Sequence, residues 1–311
     1  MKYPLLIMLC MTLFSCREET INLPDLPPVP EKKIKQIDFS LLGNNISTLF
    51  FHDRTGRVVQ LRSPSPILDI QYNGDTVLFQ YPAVSNAVVQ TNREVKFLVN
   101  SSNKPVLRLQ KKYNLSGPGG PGALHTQTRY TYDTTRYFYD VTGKLIRSVY
   151  RSRDSFVIVI PGGVETETNI VTREDEYWYT GTNINSRNGS GKQTKRVINA
   201  AGTNTTDIIF TEIREFEYGT NNPNVFNFAN ALVFNETSTV FSPNNYDIDH
   251  LATQLPVKVI NHWVSHLANG QPYYSYSQTD QFDYIYDADG YLKTINKVTP
   301  FVTSNYRFVH E

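Results

Sequence analysis

The chain has 311 residues, 40% of them hydrophobic, enough to bury one large all-β core or two smaller ones. Twenty Tyr and seventeen Phe against two Trp and three Met favour pleated, half-buried surfaces, and so strands. With 30 Lys and Arg against 29 Asp and Glu the formal charge is +1, and removal of a leader containing Lys2 leaves 30 − 1 − 29 = 0, so there is no basic excess for a nucleic-acid partner.

Lys2 is a minimal positive n-region, and residues 5–14 form an apolar stretch too short to span a bilayer, the pattern of a signal peptide over residues 1–15. Leu13-Phe14-Ser15-Cys16 resembles a bacterial lipobox, which makes Cys16 the first mature residue and the site of lipidation; an ordinary secretory leader with an incidental cysteine is the alternative. Two or three acyl chains anchor firmly, where one binds only marginally. Cys10 then leaves with the leader and Cys16 carries lipid, so neither a thiol nor a disulfide remains for chemistry. Arg17-Glu18-Glu19 is similar to the short charged export signals of surface lipoproteins, and serves equally as a solvated tether. Pro24, Pro27, Pro28 and Pro30 make residues 21–33 a polyproline-like spacer about 40 Å long, so the folded part is expected from Ile34 to the end at Glu311.

From there the punctuation is that of antiparallel strands. Asn73-Gly74 stands between alternating apolar positions, a strong hairpin signal. Strands are expected over 94–99, 106–113, 126–139, 144–151, 155–160, 170–179, 195–199 and 207–218. The Gly and Pro run at 117–122 fits no strand interior and marks a loop, or a seam at 114–125 between two halves. Tyr274, Tyr276, Phe282, Tyr284 and Tyr286 share one face while Ser275, Ser277, Thr279, Gln281 and Asp283 share the other, as in a sheet covered on one side. Helical patterning is scarce, with 249–254 the best candidate for a short helical turn.

Three Asp-x-x-Gly turns organise the chain: Asp53 with Gly56, Asp140 with Gly143, and Asp287 with Gly290, each preceded by aromatic or His residues. The Asp accepts from the backbone two residues on, and the Gly supplies the left-handed residue of a three-residue bulged hairpin. Glu215-Phe216-Glu217-Tyr218, the Asn221-Asn222-Pro223-Asn224 loop, Ser242-Pro243-Asn244-Asn245 and the closing Tyr284-Ile285-Tyr286-Asp287-Ala288-Asp289-Gly290 hairpin follow in an order that resembles a Bacteroidota lipoprotein family of unknown function. The likeness covers about the last hundred residues. The hairpins are also similar to the tyrosine-aspartate repeats of large shell-forming proteins, although three copies at irregular spacing do not make a fixed-period array.

No constellation compels a chemistry. His262 and His266 lie four apart with no third ligand nearby, and no Glu follows His262 in the zincin manner. Asp247, Asp249 and His250 suit acid-base work or calcium, and equally a solvated loop. Asp287 and Asp289 begin like a calcium loop, but no acidic ligands follow through Thr294. Around Lys192 a phosphate loop fails, because Ser186 and Gln193 stand where Gly and Ser or Thr are needed. Glu174, Asp175 and Glu176, with Glu212, Glu215 and Glu217, could hold a glycosidase pair if two carboxyls came within about 5 to 10 Å. Asp75-Thr76-Val77 and Asp133-Thr134-Thr135 resemble O-glycosylation acceptors of secreted proteins.

The sequence therefore reads as an all-β antiparallel meander of hairpins, rolled in part or folded as a sandwich, tethered to the outer membrane through Cys16 and facing outward or toward the periplasm. A non-catalytic binding or structural module is expected, without metal or cofactor; a carbohydrate-active or other hydrolase is the alternative. Trp178 and Trp263 are the candidate contacts for a glycan or protein partner.

Overall fold

The computed structural model describes residues 32–62, 68–85, 89–102, 104–116, 126–160, 163–223 and 254–311, and every regular element among them is a strand. In order these are β1 (Ile34–Leu41), β2 (Asn44–His52), β3 (Val58–Arg62), β4 (Leu68–Asn73), β5 (Thr76–Ser85), β6 (Val89–Val99), β7 (Pro105–Ser116) and β8 (Thr126–Tyr139). There follow β9 (Leu145–Ile160), β10 (Gly163–Thr180), β11 (Asn183–Asn199), β12 (Gly202–Pro223), β13 (Gln254–Leu267), β14 (Pro272–Tyr286), β15 (Leu292–Val298) and β16 (Thr303–His310). Cys16, the proline spacer up to residue 31, the 117–122 run and Asp247, Asp249 and His250 lie outside the described residues.

Each strand pairs antiparallel with the next, and β16 returns to β1, setting Phe308 opposite Ile37 and Tyr306 opposite Phe39. The all-β antiparallel meander is thus present, but the expected sandwich or partly rolled sheet is corrected to a closed barrel. The reason lies in the two terminal strands. Both carry an apolar face, and joining them removes two unpaired edges that an open sheet would expose.

Alternation decides what fills the interior. Ile37, Phe50, Val58, Phe79, Val95, Leu145, Ile184, Phe216, Leu292, Ile295 and Phe308 all point inward and belong to one buried cluster, beside the Asp-x-x-Gly turns. Those turns are built alike. In each, the first Asp carboxylate accepts from the amides two and four residues on: Thr55 and Arg57 for Asp53, Thr142 and Lys144 for Asp140, Asp289 and Tyr291 for Asp287. Gly56, Gly143 and Gly290 have φ of 84°, 81° and 85°, the left-handed region that a β-carbon penalises. Above the turns a second device repeats. The hydroxyls of Tyr72, Tyr139, Tyr179, Tyr218 and Tyr284 donate to the carbonyls of Val58, Pro105, Leu145, Ile184 and Pro256, each at the opening of the preceding strand or next to it. The hairpin is therefore the repeating unit in space, even though loop lengths hide the period in the sequence.

The outward face mixes charged and apolar side chains. Lys258 pairs with Glu217, Lys192 with Asp207 and Arg147 with Glu174, while Arg151, Arg153, His262 and His266 interrupt the apolar Ile170, Ile209, Ile213 and Val264. A lipid-facing barrel presents an apolar band about 25 Å tall, in which a midplane Lys or Arg costs about 2 to 4 kcal/mol. This exterior carries such charges beside exposed Phe51, Tyr132, Phe138 and Trp178.

The wall is uneven in height. Strands β7 to β13 run from 12 to 22 residues, whereas β2, β3 and β4 have 9, 5 and 6. Much of this extra length departs from the sequence expectation. Residues 183–194, rich in Asn, Ser and Gly, are strand because both neighbours pair with them throughout.

Candidate functional site

The long strands carry the polar part of the interior. On β10, Arg173, Asp175 and Tyr177 point inward while Glu174, Glu176 and Trp178 point outward; on β12, Phe210, Glu212, Arg214 and Phe216 point inward while Glu215 and Glu217 point outward. Each acidic run is thereby divided, and only Asp175 and Glu212 are buried. Gly189 of β11 lies between them in register, opposite Asp175 on one side and Glu212 on the other. Its lack of a side chain creates the site. A β-carbon there would stand 2.5 Å from Asp175 Oδ1 and 2.6 Å from Arg173 Nη2.

Through that gap Arg173 binds Asp175 Oδ1 at 2.6 Å and also pairs with Glu212. Arg187 donates to Glu212 Oε2 at 2.9 Å and Arg214 to Oε1 at 2.8 Å. Burial alone would raise the Glu212 pKa, but the charges of Arg187, Arg214 and Arg173 outweigh it and hold the carboxyl at about 2. For Arg187, burial is the first cause and Arg214 and Arg173 the next, and together they lower its pKa. For Arg173 burial acts downward too, yet its bonds to Asp175 and Glu212 prevail and raise the pKa. A carboxylate ionised at neutral pH and engaged by three guanidinium groups has no proton to give, and its charge is already neutralised by its partners.

Two smaller polar groups flank this cluster. Lys297 meets Asp280 at 2.9 Å with both side chains buried. On the opposite side Gln110 accepts from Arg93 at 2.8 Å and Arg108 at 3.0 Å, and donates to Asp133 Oδ2 at 2.6 Å.

Trp178 stands on the outer face, 54% exposed. Trp263 lies on the inner face instead, stacked on Phe210 with centroids 4.7 Å apart and planes inclined by 14°. His262 and His266 are exposed on the outside of β13, and four residues along a strand set them about 13 Å apart, too far to share an ion. Among the described residues no group of three His, Cys, Asp or Glu is placed to hold a metal. The stretch around Lys192, where the sequence already fails as a phosphate loop, is continuous strand β11. Sequence reasoning overlooked the three arginines. For two of them the signal was present in Arg173-x-Asp175 and Glu212-x-Arg214, opposite charges at the period of a strand and hence on one face.

No protein-family model matches this chain, and no curated protein matches it. Among solved structures it is similar to a porin-like protein from Bacteroides uniformis ATCC 8492, with a TM-score of 0.43 and 10% identity over 89% of this chain and 98% of that one.

Proposed function

We propose that this chain is a lipid-anchored barrel of the cell envelope, held to the outer membrane through Cys16, facing outward, and acting as a non-catalytic binding or structural module. The observation that carries the reading is the state of the two carboxylates that the acidic runs bury. Asp175 and Glu212 are the members of the two acidic runs that β10 and β12 turn inward, and both are tied to Arg173, with Arg187 and Arg214 completing the charge. A glycosidase needs one carboxyl kept protonated near neutrality and a second kept free, an arrangement opposed by a pKa of about 2 and three arginine partners. The charges on the exterior suit a body held beside a membrane by lipid, and the charged residues after Cys16 suit transport to the outside.

The test is a panel of glycosidase, esterase and peptidase substrates offered to the full-length protein in a sugar-free detergent, with ligand binding followed in parallel. Binding without turnover is expected. Turnover that tracks the purified protein and disappears in Glu212→Gln, with the melting transition retained, would establish a hydrolase instead.

A further inference from the structure

We propose that Trp263, Tyr276 and Tyr274 form a stacking platform for a neutral oligosaccharide on the inner wall of the taller side of the barrel; the assignment rests on the binding-module reading and gives it a ligand class.

The platform is assembled strand by strand. Gly191 of β11 leaves a slot that Phe210 of β12 fills, for a β-carbon at Gly191 would stand 2.4 Å from the Phe210 ring. Phe210 in turn seats the Trp263 indole in a near-parallel stack. Tyr276 of β14 lies directly opposite Trp263 in register, and Tyr274 inclines against Tyr276 with centroids 5.8 Å apart. Burial falls along this series. Phe210 is buried, Trp263 and Tyr276 are half-buried, and Tyr274 is 57% exposed, so the row passes from the packed interior to solvent.

The wall is open at this level because β15 is short. Its last pairing with β14 is Val298 with Gln281, and residues 272–280 of β14 rise beyond it beside β13. Rings held in this way keep their orientation without a ligand. Asn261 Nδ2 donates to the Tyr276 hydroxyl at 3.1 Å, and Ser265 donates to the Tyr274 carbonyl at 3.0 Å.

The chemistry of the lining selects the class. An aromatic face is electron-rich and attracts the C–H face of a pyranose, while neutral amides and hydroxyls suit its hydroxyl groups. Asn261, Ser265 and Gln278 are uncharged, and with Asn261 Nδ2, the Ser265 hydroxyl and Gln278 Nε2 already bonded to Tyr276, Tyr274 and Asp280 they set the neutral character of the lining. The charged neighbour opposite Trp263 is Glu212, and its carboxylate is already engaged by Arg173, Arg187 and Arg214. A nucleotide or an acidic sugar would require cations committed to it, and the arginines at this level, Arg214 beside Tyr276 among them, are engaged by Glu212.

The two tryptophans make a direct experiment. Trp178→Phe, on the outer face, leaves Trp263 as the sole reporter in an otherwise native full-length chain. Laminarihexaose, maltohexaose and mannohexaose are titrated in a sugar-free detergent while indole emission and iodide quenching are recorded. At least one sugar is expected to shift Trp263 emission saturably and protect it from iodide, with Tyr276→Ala weakening that sugar about tenfold. Absence of a saturable change with all three sugars overturns the neutral-sugar assignment. Undiminished sugar binding in Trp263→Phe and Tyr276→Ala places the site elsewhere, overturning the platform while leaving the binding-module reading intact. Cleavage of the bound sugar overturns that reading as well.

Discussion

Glu212 shows how much depends on one buried charge. Its ordinary pKa of 4.5 falls to about 2 in the folded protein, so the stabilisation is fully present above pH 4.5 and is lost as pH falls from 4.5 through 2. A difference of 4.5 − 2 = 2.5 corresponds to about 3 kcal/mol. Wild-type protein is therefore expected to lose melting temperature steeply between pH 5 and 2. Glu212→Gln is expected to be destabilised by about 3 to 5 kcal/mol at pH 7, because three guanidinium groups lose their shared counter-charge, and to show a shallower acid limb. Thermal melts followed by circular dichroism at several pH values check both, and parallel acid limbs in the two proteins would reject this account. Little of this was legible in the sequence. The runs 174–176 and 212–217 read as a possible glycosidase pair because pairing partners, not neighbours in sequence, bring Arg173 and Arg187 to Glu212 across the missing side chain of Gly189.

At the scale of elements, the turns were legible and the strands less so. A turn is a local object: Asp287 supplies its own acceptor and Gly290 its own backbone freedom, so nine residues suffice to read it. A strand such as 183–199 is imposed by β10 and β12, and its Gly, Ser and Asn residues point locally toward a loop. The Asp-x-x-Gly assignment makes a sharp prediction. A β-carbon at Gly290 meets nothing within 4 Å, so the cost of Gly290→Val is that of a β-branched residue at φ 85°, about 1 to 3 kcal/mol. Asp289→Asn is expected to stay within about 0.5 kcal/mol of wild type, since its amide and not its carboxylate completes the turn. Urea midpoints measured on both variants separate the two; equal small shifts would show that the positive φ is not what the turn requires.

At the scale of the whole molecule, closure was not legible because it depends on β1 meeting β16, two strands at opposite ends of the described chain whose pairing leaves no mark in either one alone. The alternation of Tyr274 to Tyr286 correctly indicated one dry and one wet face, but a sandwich and a barrel satisfy that pattern equally. Which face is wet determines how the protein meets a membrane. With Arg151, Arg153, Lys192 and Lys258 outward, any of these placed near a bilayer midplane would cost about 2 to 4 kcal/mol, against which stand the outward Leu49, Phe51, Tyr132, Phe138, Trp178 and Ile209. On the proposed reading, attachment comes from outside the barrel, through Cys16. Cys16→Ala is expected to move the protein from the carbonate-resistant membrane fraction to the soluble fraction, with the melting temperature of the barrel unchanged. Externally added protease is expected to digest wild-type protein on intact cells, which separates an outward-facing barrel from one facing the periplasm. A Cys16→Ala chain that stays with the membrane after carbonate would mean that the barrel wall itself holds lipid, despite the charges it carries.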